Sequence, residues 1–232
     1  MRRFLAELVG TAFLGLAVAG SGIAAETLSP RDEAMQLLVN ALATGAALVA
    51  IIVMVGAVSG AHLNPAITLA DRAFRGISTV DAAGYVVAQV SGAIAGVVLA
   101  NVTFSLPAVE WSTNPRASGA SFVSEMVATM GLVLVVSGVA RSARAHLAPF
   151  AVAGYITSAY FFASSTSFAN PAITIGRAFT DTFTGIDPSS VVPFIVAQCF
   201  GAGLAIALVA FLYPNVARHA GDVVVPHVEE EA

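Results

Sequence analysis

The sequence contains the stretch Asn64-Pro65-Ala66-Ile67-Thr68 and repeats it as Asn170-Pro171-Ala172-Ile173-Thr174. Asn is a good helix N-cap, and Pro fits the first helical position because its missing N–H would have no partner there. Each copy is therefore expected to begin a helix. The apolar segments that they begin, about 64–74 and 170–180, are too short to cross a membrane. Two such starts predict two half-helices that meet tip to tip inside a bilayer.

The composition of the whole chain is typical of a membrane protein. Of its 232 residues, 57% are hydrophobic and only 10% are charged, against about 25% charged residues in soluble domains. The net charge of −4 argues against nucleic acid as a partner. The single cysteine, Cys199, excludes an internal disulfide framework. We expect no catalytic residue, no cofactor and no metal site.

Six apolar stretches are long enough to be transmembrane helices, since a span needs about 20 residues. The first of them lacks a cleavage signal and is expected to be retained. The half-helices follow the second and the fifth stretch, so the order long, long, short, long occurs twice. The predicted fold is an all-α membrane protein with six transmembrane helices and two re-entrant half-helices. The six stretches run over about 5–25, 34–58, 79–101, 119–140, 146–164 and 190–212.

Further matches between the two halves indicate an internal repeat. Ala-Glu-Leu-Val-Gly-Thr at 6–11 matches Ser-Glu-Met-Val-Ala-Thr at 124–129, and Ala-Gln-Val-Ser-Gly-Ala at 88–93 matches Ala-Gln-Cys-Phe-Gly-Ala at 197–202. A repeated unit with three spans must be inverted in the membrane between its two copies. We assign residues 1–213 to a single domain, with repeat one at about 1–105, repeat two at about 119–213, and a tail at 214–232.

The distribution of arginines predicts the orientation, because an excess of Lys and Arg marks the cytoplasmic side. Both termini, and the tail with them, are therefore predicted to be cytoplasmic. The seven arginines of that side are Arg2, Arg3, Arg72, Arg75, Arg141, Arg144 and Arg218, and the three of the other side are Arg31, Arg116 and Arg177.

The chemistry of the predicted meeting point suits small uncharged molecules. Two facing half-helix N-termini place two positive dipole ends at one point, which repels cations. The amides of Asn64 and Asn170 offer uncharged donors to the oxygen of a water or a polyol. The unwound backbone at 60–63 and 167–169 is expected to present carbonyl acceptors beside them. The remaining candidates for lining this path are Gly60, Ala61, His62, Leu63 and Arg177.

Residues 59–66, Ser-Gly-Ala-His-Leu-Asn-Pro-Ala, resemble the first signature of the aquaporin family, the major intrinsic proteins, and residues 170–172 are similar to the second. The resemblance extends from about residue 3 to 213. It implies a passive channel in the lipid bilayer for water and small neutral solutes, assembled as a homotetramer with one pore per subunit. As is already established for aquaporin-type pores, diameter, lining donors and electrostatic barriers would set its selectivity.

Four polar side chains inside the predicted spans are expected to be structural. Ionisable groups within spans face the bundle interior and have partners. We expect Glu7 and Glu125 to accept hydrogen bonds from the re-entrant loops, as the resemblance also implies, rather than to carry protons. Gln89 and Gln198 are expected to bond helices or loops together. For His62, two interpretations stay open: a ring that lines the path, and a ring bonded to loop backbone.

The sequence departs from the family at the positions that the resemblance assigns to the selectivity filter. The Arg that follows the second Asn-Pro-Ala in most aquaporins is Ile173 here, and the second-span position is Thr44, where water-selective members usually carry an aromatic ring. The last filter position falls on Ser167 or Phe168. We expect a wider and less polar constriction, which weakens the case for a channel that conducts water alone.

The fifth-span filter position has two candidates. Counting forward along the span gives Phe161, and counting back from the second Asn-Pro-Ala gives Ser158. We favour Phe161, because the shortening relative to the family belongs in the loop. The neighbouring Tyr160 and Phe162 fit either the filter or the aromatic belt at a membrane interface.

Arg177 lies one helical turn after Ile173, on the same face and nearer the predicted outside. Two interpretations stay open for it: it lines the outer vestibule, or it anchors the loop beside Asp181. Cys199 is expected to pack within the sixth span. The mercury-sensitive loop position of the family corresponds to Ser167, so weak mercury inhibition is predicted at that site.

Residues 164–174, together with Thr44, look like a bacterial subgroup whose genes lie beside arsenic-resistance genes and which also has an aliphatic residue in place of the filter Arg. The resemblance implies an aquaglyceroporin-type channel in a bacterial inner membrane. Candidate substrates are glycerol, water, arsenite as neutral As(OH)₃ and methylated arsenicals. The alternatives are a water-selective aquaporin, an ion-coupled secondary transporter, which inverted repeats also build, and a structural protein with a vestigial pore.

Overall fold

The computed structural model describes residues 1–141 and 145–213, and within them the regular structure is helical. Short 3₁₀ turns, Ala145–Leu147 and Arg177–Phe179, precede the sixth helix and follow the seventh. The eight α-helices among the described residues are α1 (Arg2–Leu28), α2 (Glu33–Ser59), α3 (Pro65–Ala73), α4 (Thr79–Thr103), α5 (Gly119–Arg141), α6 (Ala148–Phe162), α7 (Pro171–Gly176) and α8 (Pro188–Leu212).

Five of these helices, α1, α2, α4, α5 and α8, are long and apolar enough to cross a membrane. The sixth long helix, α6, has only 15 residues, which is about 22 Å at 1.5 Å per residue. It is therefore shorter than the stretch 146–164 predicted from hydrophobicity. The prediction of an all-α membrane fold with two half-helices, α3 and α7, is confirmed. The tail at 214–232 and two of the orientation arginines, Arg144 and Arg218, lie outside the described residues.

The two halves of the chain pack in the same way. In the first half α1 packs on α4 and α2, and in the second half α5 packs on α8 and α6. Glycines allow the closest approaches: a Cβ at Gly96 of α4 would lie 2.0 Å from the Ala12 carbonyl oxygen of α1. A Cβ at Gly201 of α8 would lie 2.2 Å from the Met126 carbonyl oxygen of α5. Small residues hold membrane helices together in this way, because only close backbone approach gives enough van der Waals contact.

The half-helices begin where the Asn-Pro pairs predict. The Asn64 side-chain oxygen accepts from the backbone N–H of Ala66 at 2.9 Å. The Asn170 oxygen accepts from Ala172 at 3.0 Å and from Ile173 at 3.3 Å. Both half-helices pack between α4 and α8, one long helix from each repeat. This packing brings the two N-termini together at the centre of the bundle.

Candidate pore

The tips of the two half-helices are joined by reciprocal hydrogen bonds. The Asn64 amide donates from Nδ2 to the Ala169 carbonyl at 2.8 Å, and the Asn170 amide donates to the Leu63 carbonyl at 2.9 Å. An amide NH₂ group has two hydrogens, so each Asn keeps one donor beyond this bond. Both residues line an internal cavity, which we call the lumen. The remaining donors are therefore placed beside a space that a small molecule can enter.

The lumen has a volume of about 60 Å³ available to water. One water needs about 10–15 Å³ by this measure, so the lumen holds a short single file. Part of its wall is polar, formed by the half-helix tips, by the loops that precede them, and by the side chains of Thr44, Tyr160 and Arg177. The rest is apolar and is formed by Leu14, Val18, Leu48, Ile52, Ile67, Leu132, Val136, Val152 and Ile156.

The buried carboxylate of Glu7 holds the first re-entrant loop. One of its oxygens accepts from the Ser59 hydroxyl at 2.7 Å and from the His62 N–H at 3.0 Å. The other accepts from the Leu63 N–H and the Gln89 amide, both at 2.7 Å. Because the N–H and C=O of a trans peptide point in opposite directions, loop N–H groups turned to Glu7 leave their paired carbonyls pointing away from it.

The second loop is held by the same arrangement. The buried Glu125 accepts from the Ser165 hydroxyl at 2.6 Å and from the Phe168 N–H at 2.8 Å with one oxygen. Its other oxygen accepts from the Ala169 N–H at 2.9 Å and from the Gln198 amide at 2.6 Å. Each Glu thus accepts four hydrogen bonds, which is the full capacity of a carboxylate.

Left-handed backbone lets these loops turn their N–H groups toward the carboxylates. Three residues with positive φ precede each half-helix. They are Gly60 (80°), Ala61 (50°) and Leu63 (52°) in the first loop, and Thr166 (63°), Ser167 (51°) and Ala169 (45°) in the second. Of the first-loop candidates, Ala61, His62 and Leu63 line the lumen. Gly60 is not among the lining residues and ends α2 in the left-handed conformation. The prediction that Gly60 lines the lumen is therefore wrong.

The aromatic side chain that α6 contributes to the lumen is Tyr160, not Phe161. The Tyr160 hydroxyl lies 3.1 Å from the Thr44 hydroxyl of α2, and both residues line the lumen. The side chain of Phe161 is 53% exposed on the outer surface of the bundle. Ser158 is also exposed, and its hydroxyl donates to the Tyr155 carbonyl. One residue turns a helix by about 100°, so a count that errs by one position selects the wrong face.

The other filter candidates, Ser167, Phe168 and Ile173, all line the lumen. The Ser167 hydroxyl is buried and has no hydrogen-bond partner among the described residues. A buried hydroxyl without a partner is costly unless water or a ligand supplies one. Cys199 lies elsewhere, exposed on the surface of α8, so the expectation that it packs inside the bundle is wrong for the single chain.

His62 lies on the lumen wall. Its ring nitrogens lie 3.1 Å from the Thr68 hydroxyl and 3.5 Å from the Asp71 carboxylate. Asp71 is 4% exposed and was not among the candidates from sequence. Its position seven residues after Asn64, two helical turns along α3, is the signal that could have identified it.

Arg177 lines the lumen and also a second, wider cavity of about 340 Å³, which we call the outer cavity. Its Nε–H donates to the Thr184 carbonyl, and its guanidinium carbon lies 3.4 Å from the centroid of the Phe168 ring. Asp181 has different partners, since it accepts from the N–H of Thr113 at 2.8 Å. Arg177 therefore lines both cavities and also anchors this loop, through the Thr184 carbonyl and not through Asp181.

Comparison with known proteins places this arrangement in a family. The model of the major intrinsic protein family matches residues 1–166 and 145–230. The chain is 45% identical over 211 residues to "Aquaglyceroporin AqpS" of Rhizobium meliloti (strain 1021), covering 91% of this chain and 90% of that protein. It is 37% identical over 188 residues to "Aquaporin NIP1-4" of Oryza sativa subsp. japonica, covering 77% and 66%. The X-ray structure of the aquaglyceroporin from Plasmodium falciparum superposes with a TM-score of 0.72 at 26% identity, covering 93% and 98%.

Proposed function

The chain belongs to the major intrinsic protein family, and from this premise we propose that it is a passive membrane channel for small neutral solutes such as glycerol and water. The observation that carries the proposal is the lumen, which passes the tips of both half-helices. Donors and acceptors occupy part of its wall, and apolar side chains occupy the rest. A molecule with hydroxyl groups on one side and carbon or hydrogen on the other matches such a wall.

The mechanism is an exchange of hydrogen bonds along the wall. Loop carbonyls accept from the hydroxyl groups of a solute, and the free N–H of Asn64 and of Asn170 donates to a solute oxygen at the centre. A water that accepts from both amides has no lone pair left for a neighbouring water. Its hydrogens point away from the centre, so protons cannot pass along an unbroken chain of waters. The two helix dipoles add repulsion of cations at the same point.

The side chains around the outer half of the lumen favour solutes larger than water. Thr44 and Ile173 are short and uncharged, and the hydroxyls of Tyr160 and Ser167 supply polar partners. We propose glycerol and, from the resemblance of residues 164–174, arsenite as As(OH)₃ or methylated arsenicals as substrates. As(OH)₃ is a neutral triol like glycerol, so the same wall suits both.

Passive conduction fits these residues better than coupled transport. A secondary transporter needs a group at mid-membrane that binds a proton or an ion. Asn64 and Asn170 are uncharged, and Glu7 and Glu125 already accept four hydrogen bonds each from the loops and the long helices. In our proposal these two carboxylates, with Gln89 and Gln198, act as structural anchors.

The arrangement in the membrane forms part of the proposal. We propose that both termini face the cytoplasm of a bacterial inner membrane, which the arginine distribution supports. We further propose a homotetramer with one lumen per subunit, and a single channel domain over 1–213 with repeats at about 1–105 and 119–213. Crosslinking of the membrane-embedded protein and protease access to the tail in oriented vesicles test these assignments.

The function is tested by stopped-flow light scattering on proteoliposomes, with water, glycerol, urea and arsenite supplied in turn. We expect glycerol and arsenite flux above that of empty liposomes, no change with ionophores and no accumulation against a gradient. Flux of water alone would replace the proposal with a water-selective channel. Accumulation that an ionophore abolishes would replace it with a coupled transporter, and the absence of flux for every solute would leave only a structural role.

A further inference from the structure

The outer cavity has two arginines on its wall, Arg116 and Arg177. They come from separate parts of the chain, the loop between α4 and α5 and the 3₁₀ turn that follows α7. Their guanidinium carbons lie 5.5 Å and 3.4 Å from the centroid of the Phe168 ring. The sum of these two distances, 8.9 Å, is the upper limit for the separation of the two carbons. The fold thus brings two like charges close together beside one cavity.

Neither guanidinium forms an ion pair in the described part of the chain. Arg177 donates from Nε–H to the Thr184 carbonyl. Arg116 donates from Nε–H to the Gly185 carbonyl at 2.6 Å and from a terminal amino group to the Phe183 carbonyl at 2.7 Å. A guanidinium has five N–H donors, so both side chains keep donors that no described residue accepts from.

Burial makes this arrangement costly for the protein by itself. Arg177 is 3% exposed, and Arg116 is half-buried. Charges removed from water are normally paired, because the loss of hydration is expensive, and like charges repel more strongly where the dielectric constant is low. Glu33 lines the same cavity, but it is exposed, so solvent screens most of its charge. A negatively charged ligand between the arginines would compensate both buried charges.

The outer cavity has room for such a ligand. Its volume is about 340 Å³, and one water needs about 10–15 Å³ by this measure, so a small oxyanion fits together with several waters. The Thr166 hydroxyl also lines the cavity and has no hydrogen-bond partner among the described residues. Guanidinium groups match the oxygens of phosphate and carboxylate groups, with N–H···O distances of about 2.7–2.9 Å.

We propose that the outer cavity is a binding site for a small oxyanion, such as phosphate, sulfate or a carboxylate, whose oxygens accept hydrogen bonds from both Arg116 and Arg177. The Thr166 hydroxyl supplies a further donor. This site goes beyond the proposed channel function, because its ligand is charged and is held beside the lumen, whereas the solutes of the channel are neutral and pass through it.

The test titrates the full-length protein in a neutral detergent with inorganic phosphate at constant ionic strength, and measures calorimetric binding and the thermal unfolding midpoint. We expect one site with a Kd of about 1 mM or tighter and a rise in the midpoint, because a ligand that binds only the folded state stabilises it. Arg116→Gln and Arg177→Gln are each expected to weaken binding about tenfold, since charge-assisted hydrogen bonds are lost. Arg31→Gln removes an exposed arginine and is the matched control, with a Kd within about twofold of the wild type.

Glu33→Gln provides a test that does not depend on the folding of the arginine variants. It removes an exposed negative charge from the cavity wall and is expected to tighten phosphate binding about threefold. The proposal is overturned if the folded wild type binds no phosphate at about 10 mM. It is also overturned if Arg31→Gln weakens binding as much as the two cavity variants do, or if Glu33→Gln leaves the affinity unchanged.

Two further measurements separate the remaining outcomes. The phosphate of an anionic lipid has the same oxygens as a free phosphate ion, so the titration is repeated with phosphatidylglycerol in the micelles. Competition by this lipid supports the site and assigns it to a headgroup, whereas binding without competition supports the site and assigns it to a free anion. Solute flux is measured separately in liposomes. Phosphate binding without flux would contradict the channel function alone, and flux without phosphate binding would contradict this site alone.

Discussion

The two half-helix regions share one scaffold and differ at the ends of the pore. In each, a buried Glu from the first helix of the repeat accepts from a Ser hydroxyl, two loop N–H groups and a Gln amide. In each, an Asn caps its own half-helix and donates to the loop of the other. The positions that hold the backbone are thus the same in both copies, because the same N–H groups need an acceptor away from water in both.

The difference lies two positions before and seven positions after each Asn. The first region has His62 and Asp71 there, which approach to 3.5 Å. The second region has Phe168 and Arg177, which stack at 3.4 Å. The position seven residues after Asn64 thus carries an acid, and the equivalent position after Asn170 carries a base that lines the lumen. A duplicated backbone can therefore keep its hydrogen bonds while the side chains at equivalent positions differ in charge.

A shift of one residue produces this contrast. Both regions contain Arg-Ala-Phe, at 72–74 and 177–179, but the first copy stands one position further from its Asn. One residue rotates a helical side chain by about 100°. Arg72 is consequently half-buried and donates to the Thr79 hydroxyl, whereas Arg177 is buried at the lumen.

The largest effect is expected from removing the shared anchors. Glu7→Ala and Glu125→Ala each leave four donors without their acceptor, and an unpaired buried donor costs about 1–3 kcal/mol. Stability of a domain is only about 5–15 kcal/mol, so we expect little folded protein in detergent from either variant. Size-exclusion chromatography and thermal unfolding measure this, with the exposed Glu110→Ala as the control. One Glu variant that folds normally would show that the two anchors are not equivalent.

A smaller effect is expected from thiols placed at equivalent positions of the two loops. Ala61 and Ser167 both stand three positions before the Asn and both line the lumen. In a Cys199→Ser background, Ala61→Cys and Ser167→Cys are each expected to make solute flux sensitive to mercury, with about tenfold block, since a bound mercury ion fills a lumen for single-file water. The background protein without either thiol should be insensitive. If mercury blocked only one of the two variants, the assignment of both Ala61 and Ser167 to the lumen wall would be contradicted.

The smallest effect is expected at the pair of hydroxyl groups formed by Thr44 of the first half and Tyr160 of the second half. Tyr160→Phe removes the hydroxyl that contacts Thr44, and a hydrogen bond of this kind is worth about 1 kcal/mol, which corresponds to about a fivefold change. We expect glycerol flux to fall relative to water flux by about that factor. Phe161→Leu, on the outer surface, is the neighbouring control and should leave the ratio unchanged. Equal effects of the two variants would contradict the assignment of Tyr160 to the lumen.

The parts of the molecule that sequence predicted are those that depend on local chemistry. An Asn-Pro pair after an apolar stretch indicates where a half-helix begins, because capping is decided within a few residues. The repeated order of long and short segments indicates an inverted pair of three-span units, because an odd number of spans reverses orientation. Glu7 and Glu125 stood out because a carboxylate inside an apolar span requires partners.

The tertiary structure alone decided which face each helix presents to the lumen. Tyr160 and Phe161 are adjacent aromatic residues that hydrophobicity cannot distinguish, and the packing of α6 on α2 places one inside and the other outside. The same holds for Asp71, which reads as an ordinary polar residue of a short helix until α3 is packed between α4 and α8. Sequence thus determined where the elements begin and how they repeat, through short-range bonding. Packing set their rotation about their own axes, because that angle depends on contacts between residues far apart in the chain.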